Sequence, residues 1–232
     1  MKRLLSFLTI LVCMTAVGKQ PKVTSLPFGE LSTGESTTLY TITNRRGASM
    51  QLLDYGARIV SIMMPDRKGH YGDVVVGFGD IENFEKKDRF IGPVIGRFGN
   101  RINHAAFTLD GIRYELVANE ELGGEPVQCH GGTMGFDRFI WDATPVKEEG
   151  RTGVRFHRVS PDGEQGFPGT MDVNVTYWLT DDNTVRVEYD ATTDKPTVVN
   201  LSNHTYFNLK GNEGGYVMDH LLQVEADTCI QN

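Results

Sequence analysis

The chain has 232 residues, 39% of them hydrophobic, and carries a formal net charge of −7. This length can bury one substantial core, so we expect a single domain over residues 19–232. Phosphate contacts need clustered Lys and Arg, and the sequence beyond its first residues has no basic run. The acidic balance therefore argues against nucleic acid as a partner.

The first 18 residues have the layout of a secretory signal peptide. Two basic residues precede an apolar run over 4–12, and small residues close the segment at Gly18. The run is too short to span a bilayer comfortably. We therefore expect residues 1–18 to be removed on export, leaving a periplasmic or secreted protein without a membrane-spanning segment. Lipid attachment at Cys13 is less expected, because the bulky Val12 precedes it.

Two cysteines, Cys129 and Cys229, would remain after this removal. They could pair in an oxidising compartment, but sequence spacing does not show whether they are close in space. Two cysteines do not make a disulfide scaffold. Their pairing stays open.

Alternating β-branched, aromatic and polar residues predict a chain made mostly of β-strands. The predicted strands are 37–43, 50–56, 58–65, 73–78, 105–117, 138–146, 153–159, 171–180, 184–193 and 197–209. One short helix is predicted over 81–90. Asp110-Gly111 predicts a type I′ hairpin turn, because both central residues of that turn need positive φ. Many short strands separated by turn residues favour an all-β sandwich or barrel.

A first polar cluster is GRFGNRI, residues 96–102. Its glycines permit an unusual backbone, and Asn100 and Arg101 precede an apolar residue. The arginine presents a rigid fork of donors that suits sugar hydroxyls or a carboxylate. A surface turn with one ion-paired arginine explains the same residues equally well.

A second cluster is CHGGTMGFDRFIW, residues 129–141. Two glycines follow His130, so backbone or ligand can come close to the imidazole; a loop histidine bonded to a carbonyl is the alternative. Cys129 and His130 point in opposite directions on an extended chain, which argues against a thiol–imidazole pair. The six histidines show no His-x-His or His-x-x-x-His spacing, so no metal site is predicted.

The third cluster is NLSNHTYFNL, residues 200–209. A period of two places Leu201, Phe207 and Leu209 on one side. The other side is polar and holds Asn200, Ser202, His204, Tyr206 and Asn208. An isolated His204 would more often be a hydrogen-bonded core histidine. Three clusters rich in Asn, Arg and His together predict a polar binding cleft.

Five motifs in this order resemble the aldose 1-epimerase (galactose mutarotase) family: GRFGNRI, FTLDG, HGGTMGFDRFIWDA, SPDGEQGFPG and VNLSNHTYFNL. The resemblance runs from about residue 35 to the end. It implies an all-β fold, a large antiparallel β-sandwich of the galactose mutarotase-like supersandwich type. It also implies a monosaccharide substrate, such as glucose or galactose, on the concave face. Neither a cofactor nor a metal is implied.

The resemblance assigns roles to individual residues. The catalytic residues are His204, as general acid, and His130, near the ring oxygen. The substrate-binding residues are Asn100, Arg101, His130, Tyr206 and Phe207. Anomer exchange opens and recloses a hemiacetal, and a group with pKa near ~6.5 can give and retake the proton at neutral pH. Histidine suits that task.

One family feature has no counterpart in this sequence. The family's general base is a glutamate, helped by a substrate-binding aspartate, and both would lie beyond residue 232. Glu213 and Glu225 sit in no matching motif. We therefore expect the C-terminal strands of the sandwich to be missing and the chain to be weak or inactive alone.

Two other functions stay open. A non-catalytic carbohydrate-binding module would bind sugar without turnover, since fold does not fix function. A glycosidase would need paired carboxylates in the cleft, and the three clusters offer only Asp137. The preferred sugar and the oligomeric state do not follow from the sequence.

Overall fold

The computed structural model describes residues 20–87 and 90–228, and its regular structure is nearly all β. The strands are β1 (Lys22–Glu30), β2 (Ser36–Thr43), β3 (Ser49–Leu53), β4 (Arg58–Pro65), β5 (Tyr71–Asp73), β6 (Val94–Ile95), β7 (Arg101–Asn103), β8 (Ala106–Leu109), β9 (Ile112–Glu115), β10 (Glu120–Leu122), β11 (Glu125–Cys129), β12 (Asp142–Glu148), β13 (Arg151–Ser160), β14 (Met171–Thr180), β15 (Val185–Thr193) and β16 (Ser202–Asn203). One α-helix, α1 (Ile81–Lys86), lies between β5 and β6. The predicted signal peptide over 1–18 and Cys229 lie outside the described residues.

Two antiparallel sheets pack face to face. One has the order β1-β2-β3-β4-β5 and the other the order β12-β13-β14-β15. A single apolar core joins them, to which β2–β4 contribute Ile42, Met50, Leu52 and Ile62, and β13 and β14 contribute Val154, Phe156, Val173, Val175 and Tyr177. Two sheets sharing one core are a sandwich, so the predicted antiparallel β-sandwich is confirmed.

Strand β14 shows why the sequence folds this way. Met171, Val173 and Val175 are fully buried, whereas Asp172 and Asn174 between them face outward. Successive side chains of a strand point to opposite faces, so this alternation buries one face and exposes the other. The predicted bounds 171–180 and 58–65 coincide with β14 and β4.

Two local predictions are confirmed, one of them in part. Asp110 and Gly111 have φ of 52° and 79°, and they join β8 to β9 as the type I′ turn requires. Helix α1 forms but ends at Lys86, short of the predicted 81–90. Asp80 caps it by accepting a hydrogen bond of 2.8 Å from the backbone N–H of Asn83.

The prediction of a continuous strand over 197–209 is wrong. The regular strand there is limited to β16, which pairs with β6, while Asn200 and Phe207 form isolated bridges. Leu201 packs on the core as expected. Beyond it the alternation is reversed, since Phe207 is 54% exposed and Asn208 only 4%. The predicted strand 73–78 is likewise reduced to its first residue, the end of β5.

Side-chain amides are the physical reason for this irregularity. Asn203 Nδ2 donates 3.0 Å hydrogen bonds to the carbonyl of Gly92 and to the hydroxyl of Tyr177. Asn208 Nδ2 donates to the carbonyl of Gly215. Asparagine side chains compete with ladder hydrogen bonds in this way and favour turns.

Apolar side chains are exposed along the last described segment. They include Leu209, Tyr216, Met218, Leu221 and Leu222. In the part of the chain that the structure describes, no helix is long and apolar enough to cross a membrane.

Candidate functional site

Three segments that are distant in sequence meet at one cleft of about 280 Å³. Its lining residues are Ile95, Gly99, Asn100, His130, Asn200, Leu201, Ser202 and His204. Three larger clefts have volumes of about 350, 430 and 550 Å³, and the last two lie against the loop 209–214. Of the residues that line these three clefts, only Leu209 belongs to a polar cluster. The smaller cleft is therefore the candidate site.

A reciprocal pair of hydrogen bonds joins Asn100 to His130. The Asn100 N–H donates to His130 Nδ1 at 3.0 Å, and the His130 N–H donates to the Asn100 carbonyl at 3.0 Å. Both residues have positive φ, 64° and 53°. Gly131 follows at φ 92°, and a Cβ there would lie 1.8 Å from the Gly96 carbonyl oxygen. The glycine after His130 thus permits a backbone approach that fixes the imidazole.

His204 is tied to the opposite wall by its backbone. Its N–H donates to the Pro93 carbonyl at 2.9 Å, and its carbonyl accepts from the Gly92 N–H at 3.1 Å. The His204 ring lies perpendicular to the His130 ring, with 5.1 Å between their centroids. Within residues 20–87 and 90–228, no group hydrogen-bonds to the His204 ring nitrogens. They are open to a ligand.

Two aromatic rings flank the imidazoles. The ring of Tyr206, a predicted site residue, lies 5.0 Å from His204, although Tyr206 is not among the lining residues of the cleft. Phe90 lies 4.7 Å from His130 and 5.9 Å from His204. Phe90 is not predictable from the sequence as a site residue, because it falls in a stretch predicted as helix and carries no polar group that would signal a site.

The two imidazoles differ in their surroundings. Burial lowers the pKa of His130, and the neighbouring His204 and Arg101 lower it further. Because Nδ1 accepts a hydrogen bond, the proton of the neutral ring is on Nε2. His130 is therefore held as a neutral hydrogen-bond donor.

Arg101 lies on β7, beside the cleft rather than among its lining residues. Its Nε donates to Glu120 Oε2 at 2.7 Å, and its Nη2 lies 2.7 Å from the same oxygen. Its Nη1 donates to Asn100 Oδ1 at 3.3 Å. The sequence predicted a fork of donors for sugar hydroxyls or a carboxylate, and in this structure the fork meets a carboxylate of the protein itself. Glu120 lies outside the three polar clusters of the sequence, so no motif marks it as a partner of Arg101.

The remaining candidates lie outside the cleft. Phe207 forms an isolated bridge with Val75 and is not among the lining residues. Asp137 is buried and its Oδ2 lies 2.9 Å from Arg138 Nε. Of the described residues that line the cleft, none is an Asp or Glu, so the paired carboxylates of a glycosidase are not found there.

Cys129 is a buried free thiol. Burial and the nearby Glu120 raise its pKa to about 11, so it is protonated near neutral pH and is no nucleophile. Among the described residues, no group of three His, Cys, Asp or Glu side chains could hold a metal ion.

The motif SPDGEQGFPG has a structural role. The buried Arg97 donates from Nε to Ser160 Oγ at 2.8 Å, and from its Nη atoms to the carbonyls of Ser160, Pro161 and Pro168 at 2.9 Å. One guanidinium thus holds both ends of the loop 160–169 beside the segment that leads into Asn100.

The sequence model described as aldose 1-epimerase matches residues 38–231. The chain belongs to the aldose 1-epimerase family. It is 39% identical to galactose mutarotase from Homo sapiens over 208 residues, which are 90% of this chain and 58% of the relative. It is 37% identical to aldose 1-epimerase from Escherichia coli (strain K12) over 197 residues, 85% of this chain and 55% of the relative.

Solved structures show the same likeness. Galactose 1-epimerase from Lactobacillus acidophilus NCFM superposes with a TM-score of 0.72 and 26% identity, over 82% of this chain and 54% of that one. An aldose epimerase homologue from C. elegans gives a TM-score of 0.68 and 32% identity, over 75% and 52%. The chain thus spans somewhat more than half the length of these members of the aldose 1-epimerase family.

Proposed function

We propose that this chain carries the sugar-binding and proton-donating part of an aldose 1-epimerase site, which interconverts the α and β anomers of hexoses such as glucose or galactose. The observation that supports it most is the meeting of His130, His204 and Asn100 in one cleft. The names of the relatives, galactose mutarotase and aldose 1-epimerase, agree with it.

The two imidazoles take different roles in this proposal. His130, with its proton on Nε2, donates a hydrogen bond to the sugar near the ring oxygen. His204, whose ring nitrogens are open to the cleft, is the general acid. Different environments allow one site to use one titratable group for binding and another for proton transfer.

The reaction needs two proton transfers. A base takes the proton of the anomeric hydroxyl, the bond between the anomeric carbon and the ring oxygen breaks, and His204 gives its proton to that oxygen. The open aldehyde turns about its bond to the next carbon. Ring closure on the other face returns the proton to His204, and the base gives its proton to the new anomeric hydroxyl. Each such acid–base contribution is typically worth roughly 10² to 10⁴ in rate.

The base is the part that the described cleft does not supply, since no carboxylate lines it. We therefore expect the chain alone to epimerise weakly, with the carboxylate coming from a segment outside the described residues. The same observation favours a second candidate, a carbohydrate-binding module that holds sugar without turnover.

Polarimetry on freshly dissolved α-glucose or α-galactose tests the proposal. The rate with the 232-residue chain is compared with that of a version extended by a C-terminal segment of the aldose 1-epimerase family. We expect a large gain in the extended protein. Equal and substantial rates would show that the base lies within the chain, and sugar binding without anomerisation in both would establish the binding module instead.

A pair of histidine variants identifies the acid in the extended protein. H204Q should lose roughly 10² or more in rate. H157Q is the matched control, because His157 lies on the outer face of β13, 3.1 Å from Asp172, and it should retain the rate. Full activity of H204Q would remove His204 from the mechanism.

The proposed place of action is the periplasm or the cell exterior. Its support is the basic, then apolar, then small-residue composition of 1–18. N-terminal sequencing of protein recovered from the cell envelope should begin after residue 18. An intact Lys2 in a cytosolic fraction would contradict export.

A further inference from the structure

Glu120 holds the guanidinium of Arg101 beside the candidate sugar site. We propose that Glu120 is a positioning residue that decides which Arg101 donors a sugar hydroxyl can reach, and so contributes to sugar selectivity. This inference rests on the proposed function, because it assigns the selectivity of that same site.

The contacts of Arg101 define the donors that are left. Glu120 Oε2 takes the edge formed by Nε and Nη2, and Asn100 Oδ1 takes one N–H of Nη1. One N–H on each of Nη1 and Nη2 stays unengaged by these partners. A guanidinium held on one edge presents its remaining donors in a fixed direction, which suits neighbouring hydroxyls of a sugar.

Strand register brings the two side chains together. In the sheet β10-β11-β7, Glu120 is opposite Val127 and Arg101 is opposite Cys129, on either side of β11. Residues opposite each other, and residues two apart on one strand, share a face. Glu120 and Arg101 therefore reach across β11 on the same face. Glu121, opposite Pro126, points to the other face.

The position of this pair argues for more than surface stabilisation. Exposed ion pairs contribute little to folding, and Arg101 and Glu120 are 32% and 38% exposed, so folding stability alone does not account for this contact. Arg101 also contacts Asn100, whose backbone N–H holds His130. A change in the guanidinium thus acts beside a residue that lines the cleft, where it affects ligand binding.

The test measures dissociation constants by titration calorimetry with the full 232-residue chain. The probes are D-galactose and its 2-, 3- and 4-deoxy analogues. The variants are E120Q, E120D, R101K, the double variant E120Q/R101K, and E121Q as matched control. Thermal melting of each variant checks that the fold is kept.

We expect E120Q to bind galactose about tenfold more weakly, as for a lost charge-assisted contact. One of the deoxy sugars lacks the hydroxyl that Arg101 binds. E120Q and the wild type should bind that deoxy sugar with equal affinity. The double variant should bind no more weakly than R101K, because the two residues act as one unit. E120D should recover part of the affinity, and E121Q should behave as the wild type.

Two outcomes would overturn the inference alone: unchanged galactose affinity in E120Q, or additive losses in the double variant. Equal weakening for every sugar, together with a lower melting temperature, would assign Glu120 a structural role and also overturn it. If the wild-type chain binds none of these sugars, both the inference and the proposed function fail. If the wild type binds galactose, the outcomes above count against the inference alone.

Discussion

The sandwich and the cleft are built on different principles. In the sandwich, long strands such as β13 and β14 bury every second side chain, and ladder hydrogen bonds fix the register. In the cleft, Asn100 and His130 have positive φ and are joined by single reciprocal hydrogen bonds. We therefore expect a substitution in the sandwich to lower mainly the free energy of unfolding, and a substitution in the cleft to lower mainly the affinity for sugar.

One side chain connects the two regions. Tyr177 belongs to β14 and is fully buried in the shared core. Its hydroxyl donates to the Ala57 carbonyl at 2.7 Å and accepts from Asn203 Nδ2 at 3.0 Å. Asn203 is the residue before His204, so a single hydroxyl couples the core to the segment that carries the proposed acid.

The largest effect is expected from a change confined to the sandwich. Phe156 is fully buried, with its ring 6.1 Å from that of Tyr40 and 5.9 Å from that of Tyr177. F156A should lower the free energy of unfolding by about 3–5 kcal/mol, because it leaves a cavity. Urea denaturation measures this. V159A, exposed on the same strand, should change it by less than about 0.5 kcal/mol; a similar loss in both variants would contradict the assignment of the core.

A change confined to the cleft should affect sugar affinity more than stability. G131A places a Cβ against the Gly96 carbonyl oxygen in a left-handed backbone, so the loop must shift, at a cost of about 1–3 kcal/mol. Sugar affinity, measured by calorimetry, should fall at least about tenfold. The control G150A has positive φ but open space around its Cβ, and it should leave affinity unchanged. Unaltered binding in G131A would show that this backbone does not set the site.

The connection between the regions gives a smaller effect. Y177F removes the hydroxyl from the Ala57 carbonyl and from Asn203 Nδ2, which should lower the free energy of unfolding by about 1–3 kcal/mol. It should also weaken sugar binding, since Asn203, the residue before His204, loses one of its hydrogen bonds. Y189F, on the neighbouring strand and part-exposed, is the control for both measurements. A stability loss with unchanged binding would break the proposed coupling.

The smallest effect is a pH dependence that belongs to the cleft. The pKa of His130 is lower in the folded protein than its usual value near 6.5. Below that usual value the unfolded chain binds more protons than the folded one, so stability falls as the pH falls through 6.5 and levels off below the folded pKa. Denaturation midpoints between pH 7.5 and 5 should show this slope, and H130N should reduce it. An equal slope in H130N and in the wild type would contradict the prediction.

The sandwich was predictable from the sequence because its information is local. Runs of strand-forming residues predicted the bounds of β4 and β14, and the Asp110-Gly111 turn followed from its φ requirement. The polar clusters indicated a cleft, and the family resemblance named the residues. The structure brings together Asn100, His130 and His204, with Tyr206 against His204.

The rest depended on contacts between segments far apart in sequence. Glu120 reaches Arg101 through the register of three short strands, and Phe90 reaches both imidazoles from an irregular segment. Neither relation leaves a periodic signal. The strand prediction over 197–209 failed for a related reason, because asparagine side chains there bind the backbone in place of a neighbouring strand.

The most direct test of the central claim, that His130 and His204 face a bound sugar, is NMR of the imidazole signals during a titration with D-galactose. The chain has six histidines, so the other four serve as internal controls in the same spectrum. We predict that the signals of His130 and His204 shift in a saturable manner while those of His70, His104, His157 and His220 stay in place. Saturable shifts that leave both cleft imidazoles unmoved would contradict the account.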